Sequence, residues 1–145
     1  MFYQIQQSQY PDYYTAPMAA ELTDAGFESL KTAEEVENIL ETDKGTVLVF
    51  VNSVCGCAAS NARPAAIVAT RGGKLPEKMV TVFAGVDAAA VQKARDYFLP
   101  YPPSSPSIAL FKDGALVHFV ERHHIMGRPV AAIANDLKQA FETYC

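Results

Sequence analysis

Apolar and polar positions alternate along this chain with periods that divide it into helical and extended stretches. Residues 1–16 are rich in Gln and Tyr, lack apolar periodicity, and read as an extended arm ahead of a folded domain over residues 17–145. Met18, Leu22 and Phe27 open that domain as a short helix ending near Gly26. Thr32-Ala33-Glu34-Glu35 fits a capping box, in which the Thr hydroxyl and the Glu carboxylate satisfy free amides at a helix start. Val36, Ile39 and Leu40 then share one face, and Gly45 closes the helix. Thr46-Val47-Leu48-Val49-Phe50-Val51 is apolar on both faces, as in a central strand covered by helices on each side. An alanine-rich helix is expected over residues 57–70, bent by Pro64 inside it and stopped by Gly72-Gly73. A strand over residues 80–84 follows, then a helix capped by Asp87 and running to Leu99, with Val91, Ala94 and Phe98 inward. The proline-rich segment 100–106 cannot be helical and reads as a structured loop. Strands over 107–111 and 115–120 flank the turn Lys112-Asp113-Gly114. A last helix begins near Pro129 and carries Val130, Ile133, Leu137, Phe141 and Tyr144.

Helix, β, α, β, α, β, β, α is the resulting order. Strands separated by helices should pair in parallel, and the last two as an antiparallel hairpin. The expected architecture is therefore α/β: a thioredoxin-like fold with a central mixed sheet of about four strands flanked by helices, and an N-terminal helical extension. With 145 residues, 50% hydrophobic and 19% charged, the chain can bury a core without disulfide support. Its net charge of -4 gives no broad attraction to nucleic acid or an anionic membrane, yet leaves room for an acidic small ligand held by a local Arg or Lys. The start, Met1-Phe2-Tyr3-Gln4-Ile5-Gln6-Gln7, lacks the basic and apolar runs of a secretory signal, and no apolar stretch approaches the ~20 residues that cross a bilayer. A cytoplasmic location is expected.

In a reducing cytoplasm, three cysteines with two of them one residue apart point to redox chemistry or metal binding. Cys55 and Cys57 fall where the central strand ends and a helix begins. A helix start offers free amides and the positive end of the helix dipole, and both favour the nucleophilic thiolate. Cys55 precedes the helix and is the expected attacker, with Cys57 its more buried partner. Gly56 is expected to provide the backbone twist between them. Ser105-Pro106 lies just before the third strand, where thioredoxin-like folds place a cis-proline beside the active cysteines. Ser105, Pro106 and Asn52, which precedes the cysteine loop, are the candidate substrate-binding residues.

The run Val51-Asn52-Ser53-Val54-Cys55-Gly56-Cys57-Ala58-Ala59, followed by Arg63-Pro64-Ala65, resembles the bacilliredoxin family of bacterial thioredoxin-like proteins. Pro103-Ser104-Ser105-Pro106-Ser107, Val117-His118-Phe119 with Arg122-His123, and the terminal Cys145 resemble it too. The likeness runs from about Met18 to Cys145. It implies an enzyme, a thiol-disulfide oxidoreductase that removes bacillithiol from mixed disulfides on oxidised proteins. Cys55 would attack the bacillithiol sulfur, the protein would leave as a free thiol, and Cys57 or free bacillithiol would clear the adduct. Bacillithiolated proteins and bacillithiol are the implied partners; bacillithiol is a co-substrate, and no metal or organic cofactor is required.

Other readings stand beside this one. Protein disulfide isomerase or general thioredoxin-like reductase activity would use the same pair. Two buried structural thiols are the plainest alternative. A non-enzymatic module could bind zinc or copper through Cys55, Cys57 and one of His118, His123 or His124, although a second close ligand pair is missing. Cys145, one turn beyond Phe141, is a packed thiol, a surface thiol or a second resolving cysteine. Arg122, His123 and His124 follow the last strand as either a solvated loop or a holder for an anionic thiol.

Overall fold

The computed structural model describes residues 8–42 and 44–145. Its elements are α1 (Asp12–Thr23), β1 (Glu28–Ser29), α2 (Ala33–Glu41), β2 (Thr46–Asn52), a π-helical turn (Ala58–Ala62), α3 (Arg63–Ala69), β3 (Lys78–Phe83), α4 (Ala88–Asp96), β4 (Ser107–Lys112), β5 (Ala115–Val120), a 3₁₀ turn (Arg122–His124) and α5 (Val130–Tyr144). The strands form one sheet in the order β1-β3-β2-β4-β5. β3 runs parallel to β1 and β2, whereas β4 is antiparallel to β2 and β5. This is the expected mixed sheet, with a fifth strand of two residues added at one edge.

β2 is buried at every position, and its side chains alternate between two cores. Leu48 and Phe50 face α3, α5 and the end of α1, where Leu22, Ala65, Ala66, Leu137 and Phe141 pack. Val47, Val49 and Val51 face α2 and α4, against Val36, Leu40, Val91 and Ala94. Because both faces are filled, β2 cannot slip by one residue without exchanging its two sets of side chains. Its carboxyl end, and whatever follows, is therefore held in place.

Four local expectations change. The arm expected over 1–16 is helical from Asp12, with Pro17 inside α1; residues 1–7 lie outside the described residues. Only Thr15 and Leu22 of α1 are buried, so the helix leaves no apolar stripe for a pattern to detect. Pro64 sits in the first turn of α3. The bend expected there takes the form of the preceding π turn, in which the Arg63 N–H reaches back to the carbonyl of Ala58. Asp87 stands before α4 without capping it; its Oδ2 accepts the Phe83 N–H (3.3 Å) and its Oδ1 lies 3.7 Å from Lys31 Nζ. α4 ends at Asp96, short of Leu99.

The capping box of α2 forms as expected: Thr32 Oγ1 accepts the Glu35 N–H (3.1 Å), and Glu35 Oε1 accepts the Thr32 N–H (3.1 Å). Glu35 Oε1 also accepts the Lys31 N–H (2.8 Å), and the Lys31 and Thr32 amides together hold the Glu35 carboxyl below its ordinary pKa. Thr32→Ala should therefore lower stability by about 1 kcal/mol, read as a shifted urea midpoint at unchanged slope.

Candidate active site

β2 ends at Asn52, whose carbonyl accepts the Ala84 N–H at the end of β3 (2.9 Å). The chain then turns through Ser53 and Val54 into a helical start. The amides of Ala58 and Ala59 donate to the Cys55 carbonyl at 3.0 and 3.2 Å. Cys55 thus occupies the position of a helix N-cap, where a side-chain acceptor meets a free amide. That acceptor is Sγ, which receives the Cys57 N–H at 3.3 Å. The Cys55 N–H is in turn held by Ser53 Oγ at 3.3 Å. Cys55 and Cys57 form a disulfide, with Cα atoms 5.4 Å apart. Both are half-buried, and Cys57 also packs against the core. Gly56 has no left-handed φ and open space around it, so the special twist expected of it is not used.

Beneath the cysteine loop lies a buried cation. Arg63 is 1% exposed. Its Nη1 donates to Asn52 Oδ1 (2.9 Å) and to the Ser53 carbonyl (3.0 Å), and its Nε donates to Glu21 Oε1 (2.9 Å). Asn52 Oδ1 also accepts the Ser53 N–H (2.9 Å), while its Nδ2 donates to the Met18 carbonyl (3.3 Å). One guanidinium therefore fixes α1, the end of β2 and the start of α3 around the segment that presents Cys55. Neither Arg63 nor Glu21 was distinguishable as a site residue in the sequence; an Arg inside an alanine-rich helix reads as a surface position.

Above the disulfide opens a cleft of ≈ 370 Å³ bordered by Cys55, Ser105, Arg95, Arg122, Gln9 and Tyr10. The Ser105–Pro106 peptide is cis, as is Leu99–Pro100. Ser105 lines the cleft, and Pro106, next in the chain, is buried. Arg122 Nη1 donates to the Ser105 carbonyl at 3.1 Å. Gln9 and Tyr10 are fastened over Gly85: the Gln9 N–H donates to the Gly85 carbonyl (2.7 Å), and a Cβ on Gly85 would lie 2.7 Å from the Tyr10 ring. Gly85 also has φ +85°, so glycine is required there twice over. The described part of the N-terminal segment is thus a wall of the cleft.

Two candidate residues lie elsewhere. Asn52 is fully buried and bonded to Ser53, Arg63 and Met18, so it positions the loop and does not line the cleft that Cys55 borders. Cys145 lies beside Thr46, Lys112, Lys74 and Glu77, at the starting end of β2. Six residue steps of β2 separate that end from the one carrying Cys55, roughly 20 Å of strand. Cys145 therefore cannot resolve an adduct on Cys55 within one chain. The metal set weighed for the cysteines does not assemble either. Among the described residues the cluster able to hold an ion is Glu121, His123 and His124, without a cysteine, and His118 Nε2 pairs with Asp136 Oδ2 at 3.2 Å.

Replacing Arg63 by Met should cost about 2–3 kcal/mol in urea unfolding, because Asn52 Oδ1 and the Ser53 carbonyl lose their charged donor. Arg63→Lys should recover little, since one ammonium cannot reproduce the guanidinium fork. Cys145 is exposed overall, and partial burial of its thiol raises its pKa above the ordinary value. In reduced protein, iodoacetamide should label Cys55 at lower pH than Cys145, as peptide mapping across a pH series will show; equal profiles would remove the thiolate argument.

Comparison with known proteins agrees with this geometry. A family model described as disulphide isomerase matches residues 10–145. A bacilliredoxin of Cytophaga hutchinsonii is 56% identical over 133 residues, covering 92% of this chain and 98% of the relative. A bacilliredoxin of Bacillus licheniformis is 53% identical over 130 residues, covering 89% and 90%. Among solved structures, a mutant thioredoxin from Halobacterium salinarum superposes with a TM-score of 0.57 at 17% identity, over 83% of this chain and 91% of that one. The thioredoxin of Fasciola hepatica gives 0.56 at 16%, over 82% and 100%. At such identities the solved structures show the thioredoxin fold alone. The sequence relatives show more: this chain belongs to the bacilliredoxin family and is a thiol-disulfide oxidoreductase.

Proposed function

We propose that this protein removes bacillithiol from mixed disulfides on oxidised proteins, with Cys55 as nucleophile and Cys57 as its partner. The observation that carries the reading is the Cys57 amide directed at Cys55 Sγ at the start of a helix, on a half-buried, accessible pair. The same amide that touches the sulfur in the disulfide becomes a charge-assisted donor to the thiolate after reduction.

In the first step the Cys55 thiolate attacks the bacillithiol sulfur. The bond between that sulfur and the substrate protein's sulfur breaks, and the protein leaves as a thiolate that takes a proton from water. Cys55 now carries bacillithiol. In the second step the Cys57 thiolate attacks Cys55 Sγ and expels bacillithiol, which yields the Cys55–Cys57 disulfide. An external dithiol or two equivalents of a small thiol then reduce that disulfide. Alternatively, the thiolate of a second, free bacillithiol attacks the sulfur of the bound one; its bond to Cys55 Sγ breaks, bacillithiol disulfide departs and Cys55 returns as a thiolate. Sulfur carries every electron in either route, so no metal or organic cofactor enters the cycle.

Bacillithiolated proteins would be the macromolecular partners, and a cytoplasmic location fits a reaction that consumes reducing thiols. Among the described residues, no helix is long and apolar enough to cross a membrane.

Cys55→Ser should abolish release of protein thiol from a bacillithiolated substrate. Cys57→Ser should complete the first step once per chain and accumulate a bacillithiol adduct on Cys55, seen as a stoichiometric mass increase. Release at native rate by Cys55→Ser would reject the assignment.

A further inference from the structure

Arg95 and Arg122 converge on the cleft that Cys55 borders, and neither has an ionic partner among the described residues. Arg95 Nη2 makes a long contact of 3.5 Å to the Ser104 carbonyl. Its Nε is buried and unpartnered, the one such side-chain nitrogen or oxygen found among the described residues. Burial lowers the Arg95 pKa from its ordinary value with no carboxylate nearby to offset the lost water. Arg122 spends Nη1 on the Ser105 carbonyl and Nε on Met126 Sδ (3.2 Å), which leaves Nη2 free for a ligand. The cleft lining contains no Asp or Glu.

A buried donor without an acceptor costs stability, and proteins keep such groups where a ligand supplies the acceptor. Guanidinium forks match carboxylates, which accept two parallel N–H bonds. The volume, ≈ 370 Å³, lies in the range of small-molecule sites. Gln9 and Tyr10 close one side, so the space suits the compact half of a mixed disulfide.

We infer that Arg95 and Arg122 form a subsite for the carboxylate of a low-molecular-weight thiol, placing that thiol's sulfur against Cys55 and directing attack to it. The inference rests on the exchange chemistry proposed above but not on the thiol being bacillithiol. With the small thiol seated in the cleft, its sulfur becomes the attacked atom and the substrate protein the leaving group. A carboxylate-bearing small thiol is therefore the substrate class, and selectivity is read on the small half of the disulfide.

The test uses one neutral peptide in mixed disulfide with either mercaptopropionate, which carries a carboxylate, or mercaptoethanol, which is uncharged. Both substrates release the same peptide, so the rate ratio reports recognition once it is normalised to the ratio given by free dithiothreitol. Reduced native protein should favour the mercaptopropionate substrate by about tenfold or more, a preference that fades with added salt. Arg95→Gln should lower the ratio about tenfold, and the more exposed Arg122→Gln about threefold. Arg95→Lys should keep part of it, which separates loss of charge from loss of packing. A native ratio near unity, or one that survives both Gln substitutions, overturns the subsite. Selectivity that follows acidic residues placed on the peptide half overturns it as well. Preference for the carboxylate in a protein that releases no bacillithiol would keep the subsite and reject the proposed thiol. Full bacillithiol release by the double Gln variant, with no charge preference, would do the reverse.

Discussion

The site depends on how one buried positive charge is satisfied. Arg63 cannot sit at 1% exposure unless acceptors replace its water. It finds them on three elements: Glu21 on α1, the Asn52 side chain at the end of β2, and the Ser53 carbonyl in the loop. Each contact also fixes a piece of backbone, because Asn52 and Ser53 lead directly into Cys55. Glu21 is partly exposed, so the ion pair is not sealed from solvent. Its value lies less in net attraction than in orientation, since the same guanidinium holds acceptors from three separate segments. α1 is therefore a structural part of the catalytic loop, although it lies more than thirty residues before it in the chain.

The π turn follows from the same requirement. Pro64 has no N–H and cannot bond to the carbonyl four residues earlier. The helix widens just before it, over Ala58–Ala62, and the Arg63 N–H reaches the Ala58 carbonyl. One extra residue in that turn rotates everything after it by about 100° relative to a regular α-helix. With this offset Arg63 points inward, while Ala62, Ala65, Ala66 and Ala69 still pack in the core. Small side chains make the close approach possible, and the cysteines remain at the free end of the helix, where amides are unpaired.

Much of this was legible in the sequence, and the exceptions share a cause. β2 was plain because an apolar run on both faces leaves little choice but a central strand, and the hairpin around Asp113-Gly114 was plain because both residues adopt positive φ. The capping box at Thr32 follows from local chemistry, and the cis peptide before Pro106 from the place that thioredoxin-like folds give such a proline. What local pattern cannot carry is the far partner of a polar group. Arg63 and Asn52 belong to the interior only because Glu21 and Met18 return to meet them. Asp87 looked like a cap yet turns back to Phe83, where it also meets Lys31. Cys145 continues an apolar stripe faithfully, but the stripe does not say which end of the sheet it reaches.

The three arginines near the cysteines divide the electrostatics. Arg63 is paired with Glu21, whose side chain reaches the protein's surface, so its charge adds little to the field at the cleft. Arg95 and Arg122 are not neutralised, and they face the cleft of a chain whose net charge is -4. At physiological ionic strength a charge is screened over about 8 Å. An approaching anion therefore meets an acidic surface at long range and a basic cleft only at contact. Such a field does not steer acidic molecules toward the protein in general. It rewards a carboxylate after that group has entered the cleft with its sulfur near Cys55, so recognition and reaction geometry are coupled in the same step.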